Sequence, residues 1–317
     1  MPDDEELKSF KTRINLSEFA ASRGYELDRR ESSRNSAIMR HPDGDKIVIA
    51  KNEASGDWMY FSVRDDRDNG TVIDFLKNHG AAWGEIFRTL RAWLGESRPA
   101  GVQLPAFARD LLPVSHDRAG VMAAWERARV CTALPYLTNR GLGPEVLALS
   151  RFAGRVRVDG RNNALFPHYD HEGLCGYEVK NKGFTGFAPG GIKGLWYSAT
   201  RSTDHWLVFT ESAIDGISFQ VLHGGDSARY MSTGGEFSPQ QRGSLDLKQP
   251  GLLRTAMEKM PEGSVIILGF DNDAPGHALA DEVEALAPAG RKVRRMLPDP
   301  ATGKDWNDML KNQLGLT

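Results

Sequence analysis

Cysteine is scarce. Only Cys131 and Cys175 occur in 317 residues, far apart and outside any Cys-x-x-Cys spacing. That excludes a disulfide framework and points to a reduced, cytoplasmic protein. Long apolar runs are missing too. The acidic start, Met1-Pro2-Asp3-Asp4-Glu5-Glu6, is no signal peptide, so no membrane partner is expected. Charge of one sign is also lacking. The formal net charge is −2, so any attraction to nucleic acid must come from local basic patches. There is no internal repeat and no low-complexity tract. What remains is 40% hydrophobic and 26% charged, ordinary for a globular protein. The length allows two or three domains with a sizeable core.

Two acidic clusters about sixty residues apart stand out. Leu207-Val208-Phe209-Thr210 runs into Glu211, Ser212 and Asp215. Val265-Ile266-Ile267-Leu268 runs through Gly269-Phe270 into Asp271, Asn272 and Asp273, then Ala274-Pro275-Gly276. Each is a β-type run that ends in carboxylates and continues into a helical pattern. In an open α/β sheet, ligands bind beyond the carboxyl ends of the strands. Glu211, Asp271 and Asp273 are therefore expected to converge there. Carboxylates so gathered repel unless a cation lies between them. An all-oxygen donor set suits Mg²⁺ or Mn²⁺, and hence phosphate chemistry. Asp215 follows Glu211 by four residues, which would put both on one helical face. It lines the same edge or serves as a capping or salt-bridge acid.

These residues carry a resemblance. Glu211 followed by Gly269-Phe270-Asp271-Asn272-Asp273-Ala274-Pro275-Gly276 resembles the Toprim domain of bacterial (DnaG-type) primases, topoisomerases and some nucleases. Met231-Ser232-Thr233-Gly234-Gly235 with Ser238-Pro239-Gln240-Gln241 is similar to the strand–Gly–helix step between the acidic motifs. Gly303-Lys304-Asp305-Trp306-Asn307-Asp308 resembles the closing acidic motif of primase-type Toprim domains. That motif usually offers two acids one residue apart. Here the second is Asn307, so only Asp305 carries over; Asp308 reads as a helix-start acid. The resemblance implies a Rossmann-like, mainly parallel sheet over 204–317. It implies catalytic Glu211, Asp271 and Asp273, with Asp215 and Asp305 as further metal ligands.

Upstream, Tyr136-Leu137-Thr138-Asn139-Arg140-Gly141-Leu142 matches the entry to the primase catalytic core. Asn163-Ala164-Leu165-Phe166-Pro167 and Gly176-Tyr177-Glu178 look like that core's N-terminal sheet. A primase-type subdomain is thus expected over 117–203, with a helix from Arg118 to Cys131 and another from Pro144. Arg151, Arg155, Arg157, Arg161, Lys180, Lys182 and Lys193 form a basic set there. In Arg155-Val156-Arg157-Val158 the alternation puts both arginines on one strand face. A charge run is usually a solvated face, but in primases this subdomain guides template. Arg140, Arg155, Arg157, Lys180, Lys182 and Lys193 are the candidate nucleic-acid contacts, chiefly to phosphates. Phe184, Phe187, Trp196 and Tyr197 are core residues or base-stacking platforms. His168, His171 and His277 have no visible partner for acid–base work. Gly190-Gly191-Ile192-Lys193-Gly194 lacks Walker A spacing and reads as a turn.

The first 95 residues read as a separate α+β unit. A capped helix runs from about Ile14 to Gly24, and strands are expected at Ser36–Arg40, Lys46–Lys51 and Trp58–Val63, with a turn at Asp43-Gly44. Helices follow from Gly70 and over Trp83–Leu94. This order resembles the zinc-ribbon-like domain that opens bacterial primases. The segment has no cysteine and only His41 and His79, and a structural zinc needs four N/S ligands, so no zinc is expected. Residues 96–116, with Pro99, Pro105 and Pro113, read as a linker.

The resulting expectation is a metal-dependent DNA primase-like nucleotidyltransferase that makes short RNA primers on single-stranded DNA from NTPs. The chain ends soon after the Toprim motifs, without a helicase-binding domain. This suggests a plasmid, phage or integrative element, with a replicative helicase or another mobile-element replication protein as an implied partner. A Toprim nuclease using the same acids is the alternative; a non-catalytic DNA-binding module is a third. A topoisomerase would need a tyrosine-bearing domain for which there is no room.

Overall fold

A computed structural model describes residues 4–52, 55–63, 68–95, 104–112, 116–235 and 251–316. The chain divides into two units, Met1–Ser115 and His116–Thr317.

The first unit opens with α1 (Asp4–Arg13), acidic in its first turn and basic in its last, as the helix dipole favours. Helix α2 (Leu16–Ser22) is capped by Asn15, whose side chain accepts from the amides of Ser17 and Glu18. Five strands follow: β1 (Glu26–Leu27), β2 (Ser36–Arg40), β3 (Lys46–Lys51), β4 (Trp58–Ser62) and β5 (Asn69–Gly70). They pair in chain order, all antiparallel. Ala37, Ile49 and Tyr60 face one another across three strands and are fully buried. Helices α3 (Val72–Asn78) and α4 (Trp83–Gly95) supply Phe75, Leu76, Ile86 and Leu90 to the same core. Residues 104–112, expected inside a linker, carry the short helix α5 (Ala106–Arg109), and Leu111 joins this core. The Asn15 amide holds them by donating to the carbonyls of Ala108 and Arg109, at 3.3 and 2.9 Å. His79 and His41 are engaged locally. His79 lies 3.2 Å from the Tyr25 hydroxyl, which donates to Asp45, and His41 lies 2.8 Å from Asp43.

The second unit holds two sheets. The first is antiparallel: β6 (Arg129–Val130), β7 (Arg157–Val158), β8 (Ala164–Asp170), β9 (Gly173–Asn181) and β10 (Phe184–Phe187), in the order β10-β9-β8-β7-β6. The second contains β11 (Trp196–Tyr197), β12 (Trp206–Thr210), β13 (Ala228–Ser232), β14 (Val265–Leu268) and β15 (Lys292–Arg295), in the order β11-β13-β12-β14-β15. Strands β12 to β15 are parallel, and β11 is an antiparallel edge. This is the mixed α/β fold with a mainly parallel sheet that the sequence led us to expect.

Helix α6 (Arg118–Arg127) precedes β6, and α7 (Pro135–Thr138) and α8 (Pro144–Leu147) lie between β6 and β7; α9 (Ala213–His223), α10 (Leu252–Glu258), α11 (Ala274–Leu286) and α12 (Trp306–Gln313) flank the second sheet. The run from Arg118 does not stay helical to Cys131. It stops at Arg127, Ala128 turns extended, and Arg129–Val130 pair with β7 instead.

Strands β12 and β14 are continuous apolar runs because both faces of their sheet are covered. Val208 and Ile267 pack with Ile214 and Ile217 of α9 and with Trp306 and Leu310 of α12. Leu207, Phe209, Ile266 and Leu268 face the other way, onto Leu253, Met257, Leu279 and Val283 of α10 and α11.

Candidate active site

The site begins with strand order. Strands β12 and β14 are hydrogen-bonded neighbours in register, Phe209 opposite Leu268. Both end at the same edge, so the residues just beyond them, Glu211 and Asp271, are forced together. Glu211 precedes the α9 N-cap Ser212, whose hydroxyl accepts from the Asp215 amide. Glu211 is therefore not helical, and the expected shared helical face does not apply. The turn at Ser212 brings Asp215 to the edge instead.

The loop after β14 is held closely. The Asn272 amide donates to the Lys304 carbonyl at 2.8 Å and its side chain to the Pro298 carbonyl at 3.0 Å. Asp273 caps α11 by accepting from the Gly276 amide at 2.9 Å. A Cβ at Gly276 would lie 2.2 Å from the Asp271 carbonyl, so only glycine permits this loop.

Asp305 caps α12 by accepting from the Asp308 amide at 2.6 Å. Trp306 fixes that helix. It is buried, its indole donates to the Gly269 carbonyl at 2.8 Å, and it packs edge-on against Phe219. Asn307 is also buried. Its backbone amide donates to Asp215 at 3.2 Å, and its side-chain amide donates to the Arg140 carbonyl at 2.8 Å and to the Ser218 hydroxyl at 3.0 Å.

The electrostatics follow from this crowding. Burial and the neighbouring Asp215, Glu211 and Asp305 push the Asp271 carboxyl up to about 8. Burial and Asp305 raise Asp215, and burial and Asp273 raise Glu211. Burial also raises Asp305. Four acids thus share one field, as anticipated for carboxylates gathered at a strand edge.

The donors suit a hard divalent cation. Buried Asp271 Oδ1 accepts no hydrogen bond among the described residues, which is costly without a cation or donor. No three carboxylates among the described residues form a ready-made ligand cluster. The Lys304 ammonium stands at the same edge instead, 3.5 Å from Asp273 and 4.0 Å from Asp271. Lys304→Met should therefore bind Mn²⁺ about threefold to tenfold more tightly, by removal of one unit charge. Both proteins are compared at one pH, because losing the ammonium also raises the Asp271 carboxyl further. Unchanged or weaker Mn²⁺ binding by titration would show that the ammonium does not compete for this place.

The basic candidates separate. Lys180 and Lys193 both act on Glu211, drawing its carboxyl down against burial. Lys182 is exposed beyond the end of β9, and its backbone amide donates to the Asn181 side chain. Arg140 donates to the Asn307 side chain at 2.8 Å and stacks over Tyr136. Arg151 is buried, paired with Asp204 at 2.9 Å. Arg155 lies over Tyr197. Arg157 lies over Trp125 and donates to the Trp125 carbonyl at 2.6 Å. Arg157→Ala should thus cost about 1–2 kcal/mol of stability in urea unfolding. A wild-type unfolding midpoint would contradict this. Among the aromatics, Trp196 is fully buried in the core, while Phe184 is exposed.

Residues 208–310 match a family described as Toprim-like. This part of the chain is a Toprim-like domain. Residues 135–204, just before it, match a family described only as a protein of unknown function, DUF3991. No curated relative matches. Among solved structures, the primase fragment of the bacteriophage T7 primase-helicase protein aligns at 17% identity, over 92% of this chain and 95% of that one, with a TM-score of 0.43. The structure of a bacteriophage T7 lagging-strand DNA polymerase with primase domains aligns at 20% identity, over 60% of this chain and 91% of that one, with a TM-score of 0.37. The acids at the ends of β12 and β14, and Asp305, all lie inside the Toprim-like match. Ser238 to Gln241, which entered the sequence resemblance, lie outside the described residues.

Sequence reasoning passed over one pair. His168 is fully buried against Glu178, at 3.2 Å. The signal was present: both lie on strands, and an acid and a histidine on paired strands can meet.

Proposed function

We propose that the protein is a primase-type nucleotidyltransferase that joins ribonucleotides into short primers on single-stranded DNA. The observation that carries this reading is the acid edge of the Toprim-like domain, with Lys180 of β9 and Lys193 of the loop before β11 reaching the field of Glu211. Carboxylates alone would repel a triphosphate. Carboxylates beside lysines, with Mg²⁺ or Mn²⁺ bound between the acids, would suit one.

Asp271 and Glu211 would hold the divalent ion, with Asp273, Asp305 and Asp215 completing the field. Such an ion would polarise the triphosphate and offset charge developing in the transition state. The chain's own residues do the rest. Lys180 and Lys193 would bind phosphate oxygens, and the helix caps at Asp273 and Asp305 keep those acids from drifting apart. A helicase partner and a mobile-element setting belong to the same proposal.

The test is incubation with single-stranded DNA, labelled NTPs and Mg²⁺ or Mn²⁺. New short oligonucleotides are the expected product, absent in Asp271→Asn. Shortened template without new strands would replace this reading with a nuclease. Neither product, with DNA still bound, would leave a binding module.

A further inference from the structure

Strand β8 pairs with β9 so that His168 lies opposite Gly176. Gly176 offers no side chain, so the diagonal neighbour on β9, Glu178, reaches His168 instead. Lys180 follows two residues later on the same face. The three side chains form a chain of contacts. His168 Nδ1 lies 2.7 Å from the Gly194 carbonyl, His168 Nε2 lies 3.2 Å from Glu178 Oε1, and Lys180 Nζ lies 2.9 Å from Glu178 Oε2.

The chemistry of the oxygens fixes the protons. A carbonyl oxygen only accepts, so Nδ1 must carry hydrogen. Glu178 is buried, which alone would raise its carboxyl, but the His168 bond and the Lys180 ammonium bring it down to about 2. His168 Nε2 faces one oxygen of that carboxylate and the Lys180 ammonium faces the other, so Glu178 bridges the two side chains.

The loop after β13 connects this trio to the acid edge. The amides of Gly234 and Gly235 both donate to the Glu211 carbonyl, at 2.9 and 3.1 Å. Gly234 has φ +69°, and a Cβ there would lie 2.8 Å from His168 Cε1. A Cβ at Gly235 would lie 3.9 Å from Lys193 Nζ and 4.0 Å from Glu211 Oε1. The glycine pair therefore lies against the histidine on one side and against the Glu211 edge on the other.

The carboxylate that His168 holds in the core is the same one that holds the Lys180 ammonium. We propose that His168 and Glu178 are positioning residues that hold the Lys180 ammonium at the Glu211 edge as a phosphate-binding arm. The inference rests on the reading of this edge as a phosphate site, and it names what fixes the lysine there. The ligand is a phosphate oxyanion, from a nucleoside triphosphate or from a nucleic-acid backbone.

Two probes separate those sources: a fluorescent nucleoside triphosphate and a fluorescent oligodeoxythymidine. Each is titrated by anisotropy into the full chain, with Ca²⁺ in place of Mg²⁺ so that nothing turns over. Lys180→Gln should weaken one probe about tenfold, the worth of one charge-assisted phosphate contact. Glu178→Gln should weaken the same probe as much, because His168 and Lys180 sit on different oxygens of Glu178 and glutamine replaces one of them with an NH2 that cannot accept. The double variant should be no weaker than either single one. Lys180→Arg should recover most of the affinity. If Glu178→Gln fails to fold, Glu178→Asp keeps the charge opposite His168 but draws it back from the ammonium, and must show the same loss. Wild-type affinity for both probes in Lys180→Gln would overturn the proposal. So would wild-type affinity in the folded Glu178 variant, or losses that simply multiply in the double variant. Because binding is read without turnover, failure to make primers would count against the primase reading alone.

Discussion

Asp271→Asn should make the metal-free protein more stable while it abolishes activity. Burial and three neighbouring acids hold the Asp271 carboxyl up to about 8, so the fold tolerates its neutral form and resists its charged one. The sign follows. This contribution to stability is present in full below the ordinary carboxylate range, near pH 4, and is lost as pH rises through 8. Asparagine removes the charge at every pH and supplies an N–H to the surrounding carboxylates. At pH 8 the gain should be on the order of 3 kcal/mol, about half of what the full shift would give at 1.4 kcal/mol per unit. That is a rise in melting temperature of roughly 6–12 °C for a unit of this size. At pH 4 the two proteins should melt together. Mn²⁺ should raise the melting temperature of the wild type and leave the variant where it was. A variant that melts lower at pH 8, or that keeps its Mn²⁺ response, would remove Asp271 from the cation site.

Asn307→Asp should have the opposite effect, a loss of about 2–4 kcal/mol read from the urea midpoint. Primase-type Toprim domains usually place an acid at this position, so the substitution would seem restorative. The contacts argue otherwise. The side-chain amide donates to the Arg140 carbonyl and to the Ser218 hydroxyl. A carboxylate cannot donate; it would face the carbonyl with its own lone pairs, and each buried group left unpaired costs about 1–3 kcal/mol. It would also add a negative charge beside Asp215, whose carboxyl is already raised by burial and Asp305. Arg140 would recover part of this by pairing with the new charge. A midpoint equal to the wild type or higher would mean that this pairing dominates, and that position 307 was free to hold an acid.

Why the amide stands there was not legible in the sequence. Asn307 reads as a lost ligand because the motif is local, while its partners lie on α9 and at residue 140. The acidic strand ends were legible because two apolar runs terminating in carboxylates leave little choice once they pair as parallel neighbours. Strands β2 and β3 were legible to the residue, since alternation and the turn at Gly44 set their limits. The helix from Arg118 was read too long, because the β6 pairing depends on β7, some thirty residues later. Arg157 was read as sharing one strand face with Arg155 as a phosphate contact, but the strand starts at Arg157 and leaves Arg155 outside it. Alternation gives a face but not the Trp125 ring and carbonyl that occupy it. His168 was set aside for want of a partner, since Glu178 meets it only through the diagonal across Gly176.

The three helix starts around the acid edge have a mechanical side. Asp273 and Asp305 each spend one oxygen on the first turn of α11 or α12, and Asp215 ties the first turn of α9 to the Asn307 amide. A cation pulling on the remaining oxygens would tug on all three helices at once. Loading the edge should then slow amide hydrogen exchange in all three first turns together, so that the ion works as a keystone for the whole face as well as a reagent.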